Sequence, residues 1–291
     1  MSRPQLASAA REDGATGPAS CTPRLALLAE EPPTSAAAPP DRDAEIAQAP
    51  RPVVAERGLG VRRGPLLAVC GCCGGAGAST LAYLVALAAA RKRSEPVLVA
   101  DTGGTGGGLA YFAGVVAPQS LAEIAESLAA GLAPGRPFAT ASDGLRVLAT
   151  GPRFAAGCTR EGVEVVLDDA RVAHSLTVVD CGTLTREADQ IALANASHIA
   201  WVLPATRSGV RRASRTLDAI NPQMYGREVV VARRDEREAK AALADLKQIA
   251  SARHAPLILV PNLPDLGTAN ATDALETAQV SLQAIHGLLE R

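Results

Sequence analysis

Residues 70–82, CGCCGGAGASTLA, crowd Gly74, Gly75 and Gly77 together and follow them with Ala78, Ser79 and Thr80. Turns of this composition let successive backbone N–H groups converge on phosphate oxygens, and a helix N-terminus behind them adds positive potential. Ser79 stands where a serine or threonine hydroxyl would hold magnesium. The lysine that should precede it is replaced by Ala78. The chemistry on offer is phosphate binding by backbone amides, without the charge that stabilises a transferring phosphoryl group. Taken alone, such a turn is also what a tight βα connection needs.

The elements that must position this turn are legible on either side. It follows the apolar run PLLAV and opens the helix-like run STLAYLVALAAARKR. Strand patterns fall at 66–70, 97–101, 145–150, 176–180, 199–204, 228–232 and 257–261. Helical patterns fall near 79–93, 119–131, 161–173, 185–196, 208–220, 235–253 and 272–289. Strand and helix in alternation predict an α/β fold, a largely parallel sheet with helices on both faces, with ligands at the carboxyl ends of the strands. The segment DTGGTGGGLAYFAG, 101–114, has six glycines in fourteen residues and reads as a loop at that edge.

Residues 1–62 are rich in Ala, Pro, Ser and Arg, carry no aromatic residue and show no sustained period. They read as a disordered tail ahead of one domain, 63–291, with RLALLAE as a transient helix at most. Hydrophobic residues make up 47% of the chain and aromatic residues only 2%, so the core is expected from Ala, Val, Leu and Ile. The net charge of −1 gives no global attraction to nucleic acid or anionic lipid. No apolar run is long enough to cross a membrane, and the N-terminal residues lack the apolar core of a signal peptide, so the expected location is the cytoplasm, without membrane insertion. Cys21, Cys70, Cys72, Cys73, Cys158 and Cys181 show no metal-site spacing; they read as reduced filler, with a thiol switch at the loop as the minor reading.

The stretch CGGAGASTLAYLVALAAA resembles the deviant Walker A start of the ParA/MinD family of P-loop ATPases. VLVADTGGTGGGLAYFAG is similar to that family's second strand and switch I, and SLTVVDCGTLTREADQIALANASHIAWVLPATRSGVRRASRTL to its Walker B strand, switch II and the elements beyond. The alanine in GGAGAST and the GGGL after the second strand look most like the septum-site-determining and CpaE/TadZ-like branch. The resemblance implies ATP with magnesium as cofactor and assigns Asp101 and Asp180 to the site, with Ser79 and Asp180 toward the metal. It also exposes losses. The signature lysine falls on Cys73, the Walker lysine on Ala78, and the second carboxylate after strand two on Gly103. Nucleotide binding is therefore expected to be weak or absent and hydrolysis negligible. Ala232 falls where the family often has a base-contacting asparagine, and Asn262 is the alternative on the loop after the last strand.

The implied role is a non-catalytic or weakly nucleotide-binding positioning or regulatory protein in cell division, polar localisation or pilus and secretion assembly. Its partners would be proteins of those machineries, with a homodimer independent of nucleotide. One alternative is an active ATP-dependent switch that takes its cation from Arg91, Lys92 or Arg153, none favoured by spacing. The other is a nucleoid-binding module using Arg207, Arg211, Arg212 and Arg215, which share one helix side. A solvated face is the preferred reading of those arginines over DNA or an acidic partner. In the last helix Leu275, Ala278, Leu282, Ile285 and Leu289 form an apolar stripe expected to pack on the sheet. His174, His198, His254 and His286 are scattered at no metal-ligand spacing.

Overall fold

Both faces of β1 (Leu66–Gly71) are apolar, which fixes its place in the molecule. Leu66, Ala68 and Cys70 enter one buried cluster and Leu67 and Val69 another, each at most 1% exposed. A strand buried on both faces belongs inside a parallel sheet covered by helices. The computed structural model describes residues 63–102, 108–115, 119–132, 139–141, 144–149, 159–220, 226–233, 239–263, 266 and 271–290. Residues 1–62, with the expected tail, lie outside them, as do Cys158, Arg153 and Gly103.

Parallel neighbours flank β1 on both sides, with β2 (Val97–Asp101), β3 (Ala139–Thr140), β4 (Leu145–Leu148) and β5 (Leu176–Asp180) toward one edge. On the other side lie β6 (His198–Pro204), β7 (Glu228–Arg233) and β8 (Leu257–Val260), giving the order β3-β4-β2-β5-β1-β6-β7-β8. Among the described residues only β3 pairs antiparallel, against β4. Its two residues are too few to show an alternating pattern, so the sequence gives no sign of it. β1 is the strand at which the order reverses, the point where open α/β sheets leave a crevice.

Helices α1 (Ala78–Ala90), α2 (Gly108–Ala113) and α8 (Ala271–Leu289) contribute to the cluster on one face. The cluster on the other face takes α3 (Leu121–Ala129), α4 (Arg160–Ala173), α5 (Glu187–Asn195), α6 (Arg207–Asp218) and α7 (Ala239–Ala252). The expected stripe of α8 is buried throughout, against α1 and β8. The loop expected over 101–114 is corrected in its second half, since 108–113 is helical. Leu109 is fully buried, and the Phe112 ring meets Tyr83 of α1 at 6.0 Å between centroids. Burying a leucine is worth about 1.5–3 kcal/mol, against about 1 kcal/mol for a helical glycine.

One buried polar network ties the β6–β7 half together. Trp201 Nε1 donates to Glu228 Oε2 at 3.0 Å, and Arg253 Nη2 donates to Glu228 Oε1 at 2.9 Å. Arg253 Nη1 donates to the carbonyls of Leu217 at 3.1 Å and Ile220 at 3.2 Å, which closes the C-terminal end of α6. Every strong donor here meets an acceptor, as burial of charge requires.

Candidate functional site

The Gly-rich turn is stitched to the sheet before it opens. Gly71 N–H donates to the Gly182 carbonyl at 2.6 Å, and Cys72 N–H to the Val202 carbonyl at 2.8 Å. These bonds hold the base of the loop between the ends of β5 and β6. Gly77 then takes φ 96°, a left-handed conformation in which a side chain is strained, and starts α1. The starts of α3, α4 and α6 are closed by Ser120, Thr159 and Thr206, whose hydroxyls accept from the third helical N–H. No side chain caps α1. A Cβ added to Gly74, Gly75 or Gly77 would meet nothing within 4 Å. The amides at the head of α1 therefore adjoin free space, as an anion cradle requires. Ala78 is buried with the apolar residues of α1.

Beside the loop stand two acids from neighbouring strands. Asp101 and Asp180 are register partners on β2 and β5, and both are buried. Burial pushes the Asp180 carboxyl up to about 6, and the Asp101 charge adds to the rise. Hydrogen bonds from the Ser79 hydroxyl and the Gly182 N–H, with the Arg186 charge, oppose it. The Gly182 bond to Asp180 Oδ1 measures 3.1 Å. Ser79 and Asp180, which the sequence pairs only by resemblance, are thus in direct contact.

Arg186, Thr102 and Asp189 complete the group, and sequence reading missed all three. Arg186 Nε donates to Asp189 Oδ2 at 3.1 Å, and Nη2 approaches Asp189 Oδ1 at 2.8 Å. Nη2 also donates to the Thr102 hydroxyl at 2.9 Å. Nη1 lies 3.9 Å from Asp101 Oδ1. The available signal was the R-x-x-D spacing of Arg186 and Asp189 at a helix start, since Asp189 also accepts from the Arg186 N–H at 3.0 Å.

The oxygens of Ser79, Asp101 and Asp180 are hard-cation ligands by type. The Ser79 hydroxyl donates its proton to Asp180 and keeps its lone pairs for a cation, while a guanidinium stands against Asp101.

A cavity of about 310 Å³ adjoins the loop on its other side. Ala76, Gly77 and Thr80 line it together with Phe112, Val202, Arg233 and Leu263. Ala232, at the expected base-contacting position, is fully buried in the core. The next residue, Arg233, reaches the cavity instead, because successive strand side chains alternate faces. Asn262 is exposed, and its neighbour Leu263 is the one that lines the cavity.

The remaining candidates are placed apart from the loop. Arg91 caps the far end of α1 and Lys92 follows it, roughly 20 Å from the loop at 1.5 Å per residue. Arg207, Arg211, Arg212 and Arg215 are all exposed on α6. Arg211 and Arg215 line a groove of about 740 Å³ against α7, which Asp218 and Asp245 also line. Cys70, Cys72, Cys73 and Cys181 are free thiols, and burial pushes Cys72 up to about 12, which makes its reactive thiolate rare. No metal-binding group of three or more His, Cys, Asp or Glu occurs among the described residues. No described helix is long and apolar enough to cross a membrane.

A scan against protein-family models finds none that matches this sequence, and no curated protein matches it. Solved structures do. The ParA family ATPase of Chlorobium tepidum TLS superposes with a TM-score of 0.62 at 17% identity, covering 79% of this chain and 100% of its own. The MinC:MinD cell division complex of Aquifex aeolicus gives 0.62 at 17% identity, covering 78% and 96%. The septum site-determining protein MinD of Pyrococcus horikoshii OT3, complexed with Mg-ADP, gives 0.55 at 16% identity, covering 78% and 94%. The chain has the fold of these ATPases.

Proposed function

We propose that this protein is a non-catalytic or weakly nucleotide-binding positioning or regulatory protein of the ParA/MinD kind, acting through protein contacts in cell division, polar localisation or pilus and secretion assembly. The observation that supports it is the loop itself. Its glycine frame and uncapped helix start are intact, while Ala78 lies buried where a lysine would reach a phosphate. A lysine about 4 Å from a phosphate supplies on the order of 4 kcal/mol at an effective dielectric near 20. Losing half of that weakens binding by more than tenfold. Phosphoryl transfer depends on positioned positive charge, so the rate suffers further.

The chain's own groups divide the work of holding a phosphate. The amides from Gly74 to Thr80 provide the cradle, and the apolar walls around Thr80, Phe112 and Leu263 shelter whatever is attached to it. The Pyrococcus relative's Mg-ADP and the Aquifex relative's MinC indicate the kinds of ligand and partner that this fold accommodates. The nucleoid reading draws less support, because Asp218 and Asp245 share the groove that Arg211 and Arg215 line, and a phosphate backbone favours a surface of one sign.

Steady-state phosphate release from ATP tests the proposal, alongside thermal-shift titration with ATP. Turnover at the level of a blank is expected, with a small thermal shift or none. Turnover comparable to an intact ATPase, abolished by Asp180→Ala, would overturn it.

A further inference from the structure

We infer that Arg186 takes the place of a divalent cation at this loop, its guanidinium balancing the Asp101 and Asp180 carboxylates so that a phosphate on the loop amides is held without metal. This rests on the reading of the loop as a phosphate site.

Three features carry it. First, the guanidinium is fixed. Asp189, fully buried, grips Nε and Nη2, and Thr102 accepts a further bond from Nη2. The Thr102 hydroxyl in turn donates to Asp189 Oδ1, which closes the group. The turn that delivers Arg186 is held in an uncommon shape: Leu184 has φ 60° and packs against the core. Second, Nη1 is directed to the acidic pair. It lies 3.9 Å from Asp101 Oδ1, is buried, and has no hydrogen-bond partner among the described residues. A buried donor without an acceptor is costly, and an arriving phosphate oxygen is an acceptor of the right kind. Third, a cation placed between the two carboxylates would face the guanidinium, which stands 3.9 Å from Asp101 Oδ1 and whose charge is permanent.

Manganese(II), titrated into the full chain without nucleotide and read by electron paramagnetic resonance, tests this directly. Wild type is expected to leave the free-ion signal unchanged through the micromolar range. Arg186→Gln is expected to bind one equivalent at least about tenfold more tightly, and to lose it again with Asp101→Asn. If the glutamine variant fails to fold, Arg186→Met, which keeps the apolar stem, repeats the comparison. Micromolar manganese binding by wild type, or no gain in the charge-deleted variant, would overturn the inference. With ATP as probe, the wild-type thermal shift is expected to be the same in EDTA as in magnesium. A shift present only with magnesium would also overturn it. No shift in either buffer would overturn the metal-free holding of a phosphate while leaving the non-catalytic role standing, and the manganese comparison still decides whether Arg186 displaces the cation.

Discussion

Asp101 on β2 and Asp180 on β5 are register partners at the carboxyl edge of the sheet, 7% and 5% exposed, with the Ser79 hydroxyl bonded to the second of them. Ionisation of Asp180 is disfavoured there, first by desolvation and further by the Asp101 charge beside it.

Asp180 therefore makes stability depend on pH in the direction opposite to a paired carboxylate. Its folded pKa, about 6, lies above the value near 3.9 of an unfolded aspartate. Between roughly pH 4 and 6 the native state binds more protons than the unfolded one, so this group's contribution falls as pH rises through that window and stays low above it. Asp180→Asn, which cannot ionise, is expected to exceed wild type by about 1–3 kcal/mol near pH 8 and to lose the advantage near pH 4. Urea unfolding of both proteins at the two pH values checks this; an advantage that grows toward acid would contradict it.

Gly74 and Gly77 are expected to respond differently to alanine. Gly77 sits at φ 96°, so Gly77→Ala should cost about 1–2 kcal/mol in backbone strain. Gly74 has no left-handed φ and open space around its Cβ, so Gly74→Ala should leave stability within about 0.5 kcal/mol. The same methyl group would stand where a phosphate approaches, so any ATP-induced thermal shift should disappear in Gly74→Ala. A stable Gly74→Ala protein that retains the shift would show that the loop is only a connection.

Removing Arg253 should be far more damaging than removing an exposed arginine of α6. Arg253→Ala leaves Glu228 buried without its partner and frees the Leu217 and Ile220 carbonyls, a loss of about 3–5 kcal/mol. Arg212→Ala, on an exposed position, should change stability by less than about 0.5 kcal/mol. Denaturant midpoints of the two variants decide whether the network is structural.

Self-association should be indifferent to nucleotide. Cys73 occupies the position from which, by resemblance, a lysine would reach across to a partner's nucleotide, so any dimer rests on apolar contacts. Sedimentation velocity with and without ATP and magnesium should give one distribution. A monomer that dimerises on adding nucleotide would refute this.

The sequence by itself determined the layered α/β architecture and the place of the loop. Short apolar runs and period-3.6 patterns are local signals, and the apolar run at 66–70, ahead of a Gly-rich turn, reads as a strand covered on both faces. Gly74, Gly75 and Gly77 were equally visible, because a backbone conformation that excludes side chains leaves its mark on residue type. What surrounds the loop was decided by tertiary structure. Arg186 is far from Asp101 in sequence, and only the pairing of β2 with β5 and the turn through Leu184 bring its guanidinium to that carboxylate. Arg233 rather than Ala232 reaches the cavity because the register of β7 against β6 and β8 fixes which residue faces in. The segment 108–113 became a helix because Leu109 and Phe112 found α1 to pack on, a gain that no reading of six glycines in a row of fourteen residues contains.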